Sequence, residues 1–244
     1  MIISAKTDIG LRRDANQDCF AYGQPDSGTL SWAVVCDGMG GPSGGKIASS
    51  IAVNSFSKFM AELTLDSNGE KIKETFQKAI DCANKEIYNK SLRDDKLYGM
   101  GTTLVSSVIV KDTGYFVNVG DSRAYLIRDG SIRRISHDHS AVQQLVDNGM
   151  LTESQARNHP NKNIITRALG VEESVSFDFF TERVFPDDIV LLCSDGITNY
   201  IDDLEIPFET VKRKSNIETI PQKLIELANS RGGADNSTVV IMKV

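Results

Sequence analysis

Apolar residues early in the chain recur with helical spacing. Ile47, Ile51, Ala52, Phe56, Phe59, Met60 and Leu63 fall three to four positions apart, on one face of a helix that Asn68-Gly69 ends. Ile72, Phe76, Ile80, Ala83 and Ile87 draw a second stripe that stops near Leu92. The period then shortens to two. Leu104, Ser106, Val108 and Val110 alternate with Thr103, Val105, Ser107 and Ile109, and Asp112-Thr113-Gly114 predicts a turn into a return strand carrying Tyr115, Val117 and Val119. A third strand, 123–128, meets a fourth across Asp129-Gly130, a pair that tolerates the positive φ angles of a tight hairpin. Successive hairpins predict antiparallel sheet.

Asp138 or Ser140 is placed to cap a helix with Val142, Leu145 and Val146 that Gly149 ends, and Thr152-x-x-Gln155 is a capping box for a short helix stopped by Pro160. Strands are expected over 176–184 and 188–193. Thr219-x-x-Gln222 opens a helix with Pro221 in its first turn and Gly232-Gly233 behind it, and 237–244 closes the chain as a strand. No repeat, low-complexity stretch or linker interrupts the pattern, so residues 1–244 read as one domain of strands with helices on their faces.

Composition narrows the functional classes. The 244 residues hold 27 basic and 33 acidic side chains, a net charge of −6, with no basic cluster of the kind that neutralises nucleic-acid phosphates. Apolar runs such as Ile189–Cys193 fall far short of the ~18 residues that span a bilayer, and residues 1–10 lack the apolar stretch and cleavage site of a secretory signal. No nucleic acid, no membrane insertion and a cytoplasmic location are therefore expected. Cys19, Cys36, Cys82 and Cys193 contain no C-x-x-C pair, so reduced thiols are expected rather than a zinc site or disulfides.

Four aspartates stand where strand patterns begin or end: Asp37 after 32–36, Asp121 after 115–119, Asp195 after 189–193, and Asp235 before the last strand. Singly, each reads as a turn residue. Together at one sheet end they would repel and lose hydration unless a cation neutralised them, and an all-oxygen donor set selects Mg²⁺ or Mn²⁺ over Zn²⁺. In Gly10-Leu-Arg-Arg-Asp-Ala-Asn-Gln-Asp18, Arg12 or Arg13 could fork onto a phosphate and Asp18 could hold a metal or a metal-bound water, although taken locally the string reads better as a solvated polar turn.

The strings GLRRDANQD, VVCDGMGGPSGGKIAS, GTT, VGDSRAYLIRDG, DHSAVQQLVDNGMLTESQARNHP, NIITRALG, LLCSDG and DNSTVV follow one another as in the metal-dependent serine/threonine protein phosphatases of the protein phosphatase 2C-like family. The chain resembles the bacterial branch in which the catalytic domain stands alone. The resemblance implies an α+β fold of two mainly antiparallel β-sheets packed as a sandwich, with α-helices on both outer faces. It implies that Asp37 bridges two catalytic Mn²⁺ or Mg²⁺ ions, that the Gly38 carbonyl, Asp195 and Asp235 complete the direct ligands, and that Asp121 helps hold a third, weaker ion. It further implies that Asp18 acts through metal-bound water, that Arg13 rather than Arg12 binds phosphate, and that 138–170 is a flap beside the metals. The implied activity is hydrolysis of phosphoserine and phosphothreonine in proteins by a metal-activated water, reversing a cognate serine/threonine kinase, in a chain expected to be a monomer.

Several positions depart from the family pattern. Gln17 replaces a common Glu, Met39 stands where eukaryotic members carry a His, and Pro42 and Lys46 replace the usual His and acidic residue. His137, His139 and His159 are expected to cap or to face solvent. Two rival readings remain on the residues alone: Gly40 to Lys46 fits a phosphate-binding G-x-x-x-x-G-K loop, and a non-catalytic relative would bind phosphoproteins without turning them over.

Overall fold

Strands β3 (Leu30–Cys36) and β6 (Leu104–Val110) are buried at every residue. An alternating pattern that leaves neither face in water means each strand is covered on both sides, and the layers around them show why. The computed structural model describes residues 1–25, 29–207 and 216–244. Among these, β2 (Cys19–Gly23), β3, β6, β7 (Thr113–Val119) and β10 (Asp178–Arg183) form one antiparallel sheet in the order β10-β7-β6-β3-β2. The second sheet runs β1-β12-β11-β8-β9, from β1 (Ile2–Asp8), β8 (Arg123–Arg128), β9 (Ser131–Arg134), β11 (Ile189–Cys193) and β12 (Ser237–Lys243), and the short β4 (Gly38–Met39) and β5 (Gly101–Thr102) pair with each other.

The inner faces of the two sheets meet in a core that includes Val35, Val105, Phe116, Leu126, Leu192 and Val240. Helices α1 (Gly41–Met60) and α2 (Gly69–Ser91) cover the outer face of the first sheet, where Phe56 and Phe76 stack with ring centres 5.7 Å apart. The other outer face is covered by α5 (Asp195–Thr198) and α6 (Ile220–Ser230) through Ile197, Leu224 and Ala228. The expected layered sandwich of α-helices and antiparallel sheets is therefore present. Between β9 and β10 lie two short helices, α3 (Ala141–Asp147) and α4 (Glu153–Arg157). No helix among the described residues is long and apolar enough to cross a membrane.

Local signals were borne out unevenly. The Asp129-Gly130 hairpin forms with both φ angles positive, at 50° and 80°, and Thr152 and Gln155 make the reciprocal capping box. Ser140, not Asp138, caps α3, because the Asp138 carboxylate is taken by Arg123 at 2.7 Å. The β6–β7 turn comes one residue early, with Lys111 adopting φ 56° and the return strand starting at Thr113. Thr219 does not cap α6: it lies in a helical conformation inside a preceding 3₁₀ turn, and its hydroxyl donates to the Asn216 carbonyl instead. Helix α1 begins at Gly41, six residues before the apolar stripe becomes visible at Ile47. Residues 41–46 are thus helical turns rather than a phosphate-cradling loop, and the Lys46 ammonium donates to the Asp18 carbonyl at 3.1 Å. That arrangement removes the nucleotide-binding reading.

Candidate active site

The chain crosses from one sheet to the other between β7 and β8, and Asp121 sits in that crossing. The same rim receives the other aspartates. Cys193, at the end of β11, pairs with Arg123 at the start of β8 and with Val239 near the start of β12, while Val35 pairs with Val105, opposite the end of β7. Asp37, Asp195 and Asp235 flank these strand ends. Together with Asp121, Arg13 and Gly38 they line one cleft of about 620 Å³. Asp18 is not on its wall. It lies beneath the cleft, 1 % exposed, where its Oδ2 accepts from Ser194 Oγ at 2.8 Å and from Thr238 Oγ1 at 2.6 Å.

Burial of the carboxylates dominates the electrostatics, and the crowding of like charges adds to it. Burial, opposed by its two hydroxyl donors and reinforced by Asp195 and Asp235, pushes the Asp18 carboxyl up to about 6. Lost hydration raises Asp37 well above the ordinary carboxylate range, with Asp18, Asp195, Asp121 and Asp235 adding repulsion. Asp121 is raised in the same way, by burial and then by Asp195 and Asp138, and Asp195 by burial and then by Asp235, with a side-chain contact to Asp37 pulling against the rise.

Hydroxyl side chains fix this geometry. The Asp37 N–H donates to Thr103 Oγ1 at 2.9 Å, the Asp37 carbonyl accepts from Thr103 N–H at 2.9 Å and from Thr102 Oγ1 at 2.8 Å, and Thr103 Oγ1 lies 2.7 Å from Ser122 Oγ. One threonine therefore links the turns that carry Asp37 and Asp121. Gly38 packs against the first turns of α1 so closely that a Cβ there would meet the Gly45 carbonyl oxygen at 2.1 Å. That contact leaves room only for glycine beside Asp37.

The N-terminal loop is tied to the other side of the cleft by Asn236. Its amide donates to the carbonyls of Ile9 and Ala15 and accepts from the Gln17 N–H. Arg13, thus placed, pairs with Asp235 through an Nη2–Oδ2 contact of 2.8 Å, and that bond is the first cause of its raised pKa. Arg12 also reaches the cleft. Among the departing residues, Gln17 donates to the Gly41 carbonyl at 2.7 Å and so steadies the start of α1, while Lys46 also donates to Cys19 Sγ at 3.3 Å. Sequence reasoning missed Thr103, Ser194, Asn236 and Thr238, although each stands within one to three residues of an acidic or Gly-Thr string already singled out.

The histidines separate. His137 pairs at the surface with Asp147 and His159 accepts from the Asn161 N–H, as expected. His139 does not face solvent: it is 7 % exposed, and burial lowers its pKa against the opposing bond to Asp178. No histidine lines the cleft among the described residues.

The donor set fits hard divalent cations. Asp18 Oδ1 and Asp195 Oδ1 are buried without a hydrogen-bond partner, an expensive state for a carboxylate unless a cation compensates it. Among the described residues, Arg13 pairs with Asp235 alone. Asp37, Asp195, Asp235 and the Gly38 carbonyl offer only oxygen, the ligand chemistry of Mg²⁺ and Mn²⁺. Among the described residues no three His, Cys, Asp or Glu side chains converge closely enough to hold an ion by themselves, so a backbone carbonyl and water would have to share the coordination.

A sequence model of the family described as protein phosphatase 2C matches residues 12–227, a span that includes Asp18 and Asp195 and stops short of Asp235. The serine/threonine phosphatase stp of Listeria monocytogenes serotype 4b is 39% identical over 239 residues, covering 98% of this chain and 94% of that protein. The structure of the Streptococcus agalactiae serine/threonine phosphatase superposes with a TM-score of 0.92 at 37% identity, over 100% of this chain and 99% of that one. The catalytic domain of the phosphatase PstP, solved in complex with two manganese ions, superposes with a TM-score of 0.85 at 31% identity, over 98% and 96% of the two chains.

Proposed function

Because this chain belongs to the protein phosphatase 2C family and is a serine/threonine phosphatase acting on phosphorylated proteins, we propose that its cleft works with Mn²⁺ or Mg²⁺, two in the core and a third, weaker one at Asp121. The observation that carries this reading is the meeting of Asp37, Asp121, Asp195 and Asp235 on one rim, with partnerless oxygens on Asp18 and Asp195. The residue roles follow from position. Asp37, central among the carboxylates, would hold both core ions, the Gly38 carbonyl, Asp195 and Asp235 would supply the other direct oxygen donors, and Asp18 would act from below through water.

Two divalent ions, when bound, supply a water nucleophile at neutral pH and neutralise charge on the transferring phosphoryl group. The chain supplies the rest. Arg13 presents a planar fork that matches two phosphoryl oxygens, holds the monoester in line and stabilises charge in the transition state. Thr102 and Thr103 hold the backbone N–H and carbonyl of Asp37, which fixes where its side chain leaves the chain. Met39 lines the cleft where an imidazole acid would stand, and no histidine lines it among the described residues, so the leaving serine or threonine oxygen would take its proton from water or another group.

Residues 1–244 then act as one catalytic domain, with 138–170 as the flap over the substrate path, in a cytoplasmic monomer that reverses a cognate serine/threonine kinase and so takes part in signalling. Support for the kinase, the location and the oligomeric state is the likeness to stand-alone bacterial phosphatases. The test is phosphate release from a phosphothreonine peptide with Mn²⁺, with Mg²⁺ and with a chelator. Turnover with either metal that disappears with chelator is the expected result; metal-independent turnover contradicts the reading, and no turnover by folded protein favours a phosphoprotein-binding role.

A further inference from the structure

We propose that His139 is a positioning residue for the Asp121 carboxylate, acting through the backbone of Gly120. The inference rests on the reading of Asp121 as a cation ligand. Gly120 has φ +101°, and a Cβ there would meet Thr103 Cγ2 at 2.6 Å, so only glycine fits the crossing between the sheets. A glycine immediately before a functional carboxylate leaves two soft dihedrals that something else must fix.

His139 fixes both. Its Nδ1 accepts the Gly120 N–H at 3.0 Å, which holds the peptide before the Gly120 Cα, and its own N–H donates to the Gly120 carbonyl at 2.9 Å, which holds the peptide after it. Asn118 Nδ2 supports the same carbonyl at 3.1 Å and the His137 carbonyl at 2.8 Å.

The ring is held in its turn. A backbone N–H can only donate, so Nδ1 carries no proton and the neutral imidazole bears its hydrogen on Nε2, 3.2 Å from Asp178 Oδ2. Arg167 Nη1 lies 2.9 Å from Nε2 and donates to Asp178 Oδ1 at 3.1 Å, so one carboxylate gathers both donors. Thr166 N–H donates to the His139 carbonyl at 2.8 Å. Thus one buried histidine joins the Asp121 crossing to both ends of segment 138–170 and to strand β10, its ring holding Gly120 N–H, Arg167 and Asp178 and its main chain holding the Gly120 carbonyl and Thr166. Supporting partners of metal ligands typically matter by about 10- to 100-fold in metal affinity or activity.

The test compares His139→Ala and His139→Asn, each in the native and in the Asp121→Asn background. Asparagine places its Oδ1 near the position of Nδ1 and keeps the acceptor. Mn²⁺ binding to chelator-stripped protein is read by calorimetry, alongside kcat/KM on a phosphothreonine peptide, with thermal unfolding confirming that each variant is folded. His139→Ala should weaken the weakest Mn²⁺ step about 10-fold or more, His139→Asn should restore most of that loss, and His139→Ala should cost nothing further once Asp121 is Asn. Equal losses in both backgrounds, or an Asn variant as poor as Ala, would overturn the proposal while leaving the role of Asp121 intact. Native Mn²⁺ binding and turnover in Asp121→Asn would overturn the ligand reading itself, and the proposal with it.

Discussion

Arg13 and Asp235 are joined by a 2.8 Å ion pair across the mouth of the cleft, so the side chain proposed to grip phosphate is held by the one proposed to grip metal. A cation held by Asp235 would compete with the guanidinium for the same carboxylate oxygen and would free Arg13 towards substrate. Inorganic phosphate should therefore bind more tightly in the presence of Mn²⁺ than its charge alone explains, and Arg13→Ala should remove the excess. Replacing a bidentate charged contact is worth about 1.5–3 kcal/mol, or roughly 10- to 100-fold in kcat/KM. Arg13→Lys should recover charge but not the fork. Phosphate affinities that ignore both Mn²⁺ and Arg13 would refute the coupling.

The carboxylate cluster gives the chelator-treated protein an unusual pH dependence. A folded carboxyl with a raised pKa binds its proton more tightly than the unfolded chain does, so the folded state holds more protons between the two values. For Asp18 that window runs from 3.8 to about 6, and stability should fall as pH rises through it, with the full penalty present at pH 7. Asp18→Asn should therefore stabilise chelated protein at pH 7, by on the order of 2–3 kcal/mol, while impairing metal-dependent turnover. Thermal unfolding from pH 4 to 7.5 checks both directions, and a less stable Asn variant at pH 7 would contradict the assignment.

Thr103→Val keeps the shape of the side chain and deletes its hydroxyl. The Asp37 N–H loses its acceptor and Ser122 its partner, at about 1–3 kcal/mol for buried groups left unpaired. Activity should fall more than stability explains, because the two turns carrying Asp37 and Asp121 lose their common tie. Denaturant unfolding together with kcat on a phosphopeptide separates the two effects. A variant with native kcat would show that the link is dispensable.

The aspartates were legible because each stands at the end of an apolar strand run, and four such ends on antiparallel strands can reach one rim. The partners that hold them were not. Ser194 and Thr238 stand 176 and 220 residues from Asp18, and no local pattern joins them. The start of α1 was hidden because Gly41 to Lys46 contains no apolar side chain to mark a helical face. Hairpin signals found β6 to β9 but could not say that the chain changes sheets at Gly120, which is what brings Asp121 to the cleft. The buried role of His139 was hidden for a related reason: its partners Gly120 and Asp178 come together only through that crossing.

The central claim is that these carboxylates form one shared cation site, with Asp37 common to both core ions. Calorimetric titration of Mn²⁺ into chelator-stripped protein, native and Asp37→Asn, tests it most directly. Two Mn²⁺ ions should bind the native core, and both should weaken together, by about 10-fold or more, in a variant that remains folded. An Asp37→Asn protein that still binds two Mn²⁺ with native affinity would contradict the account.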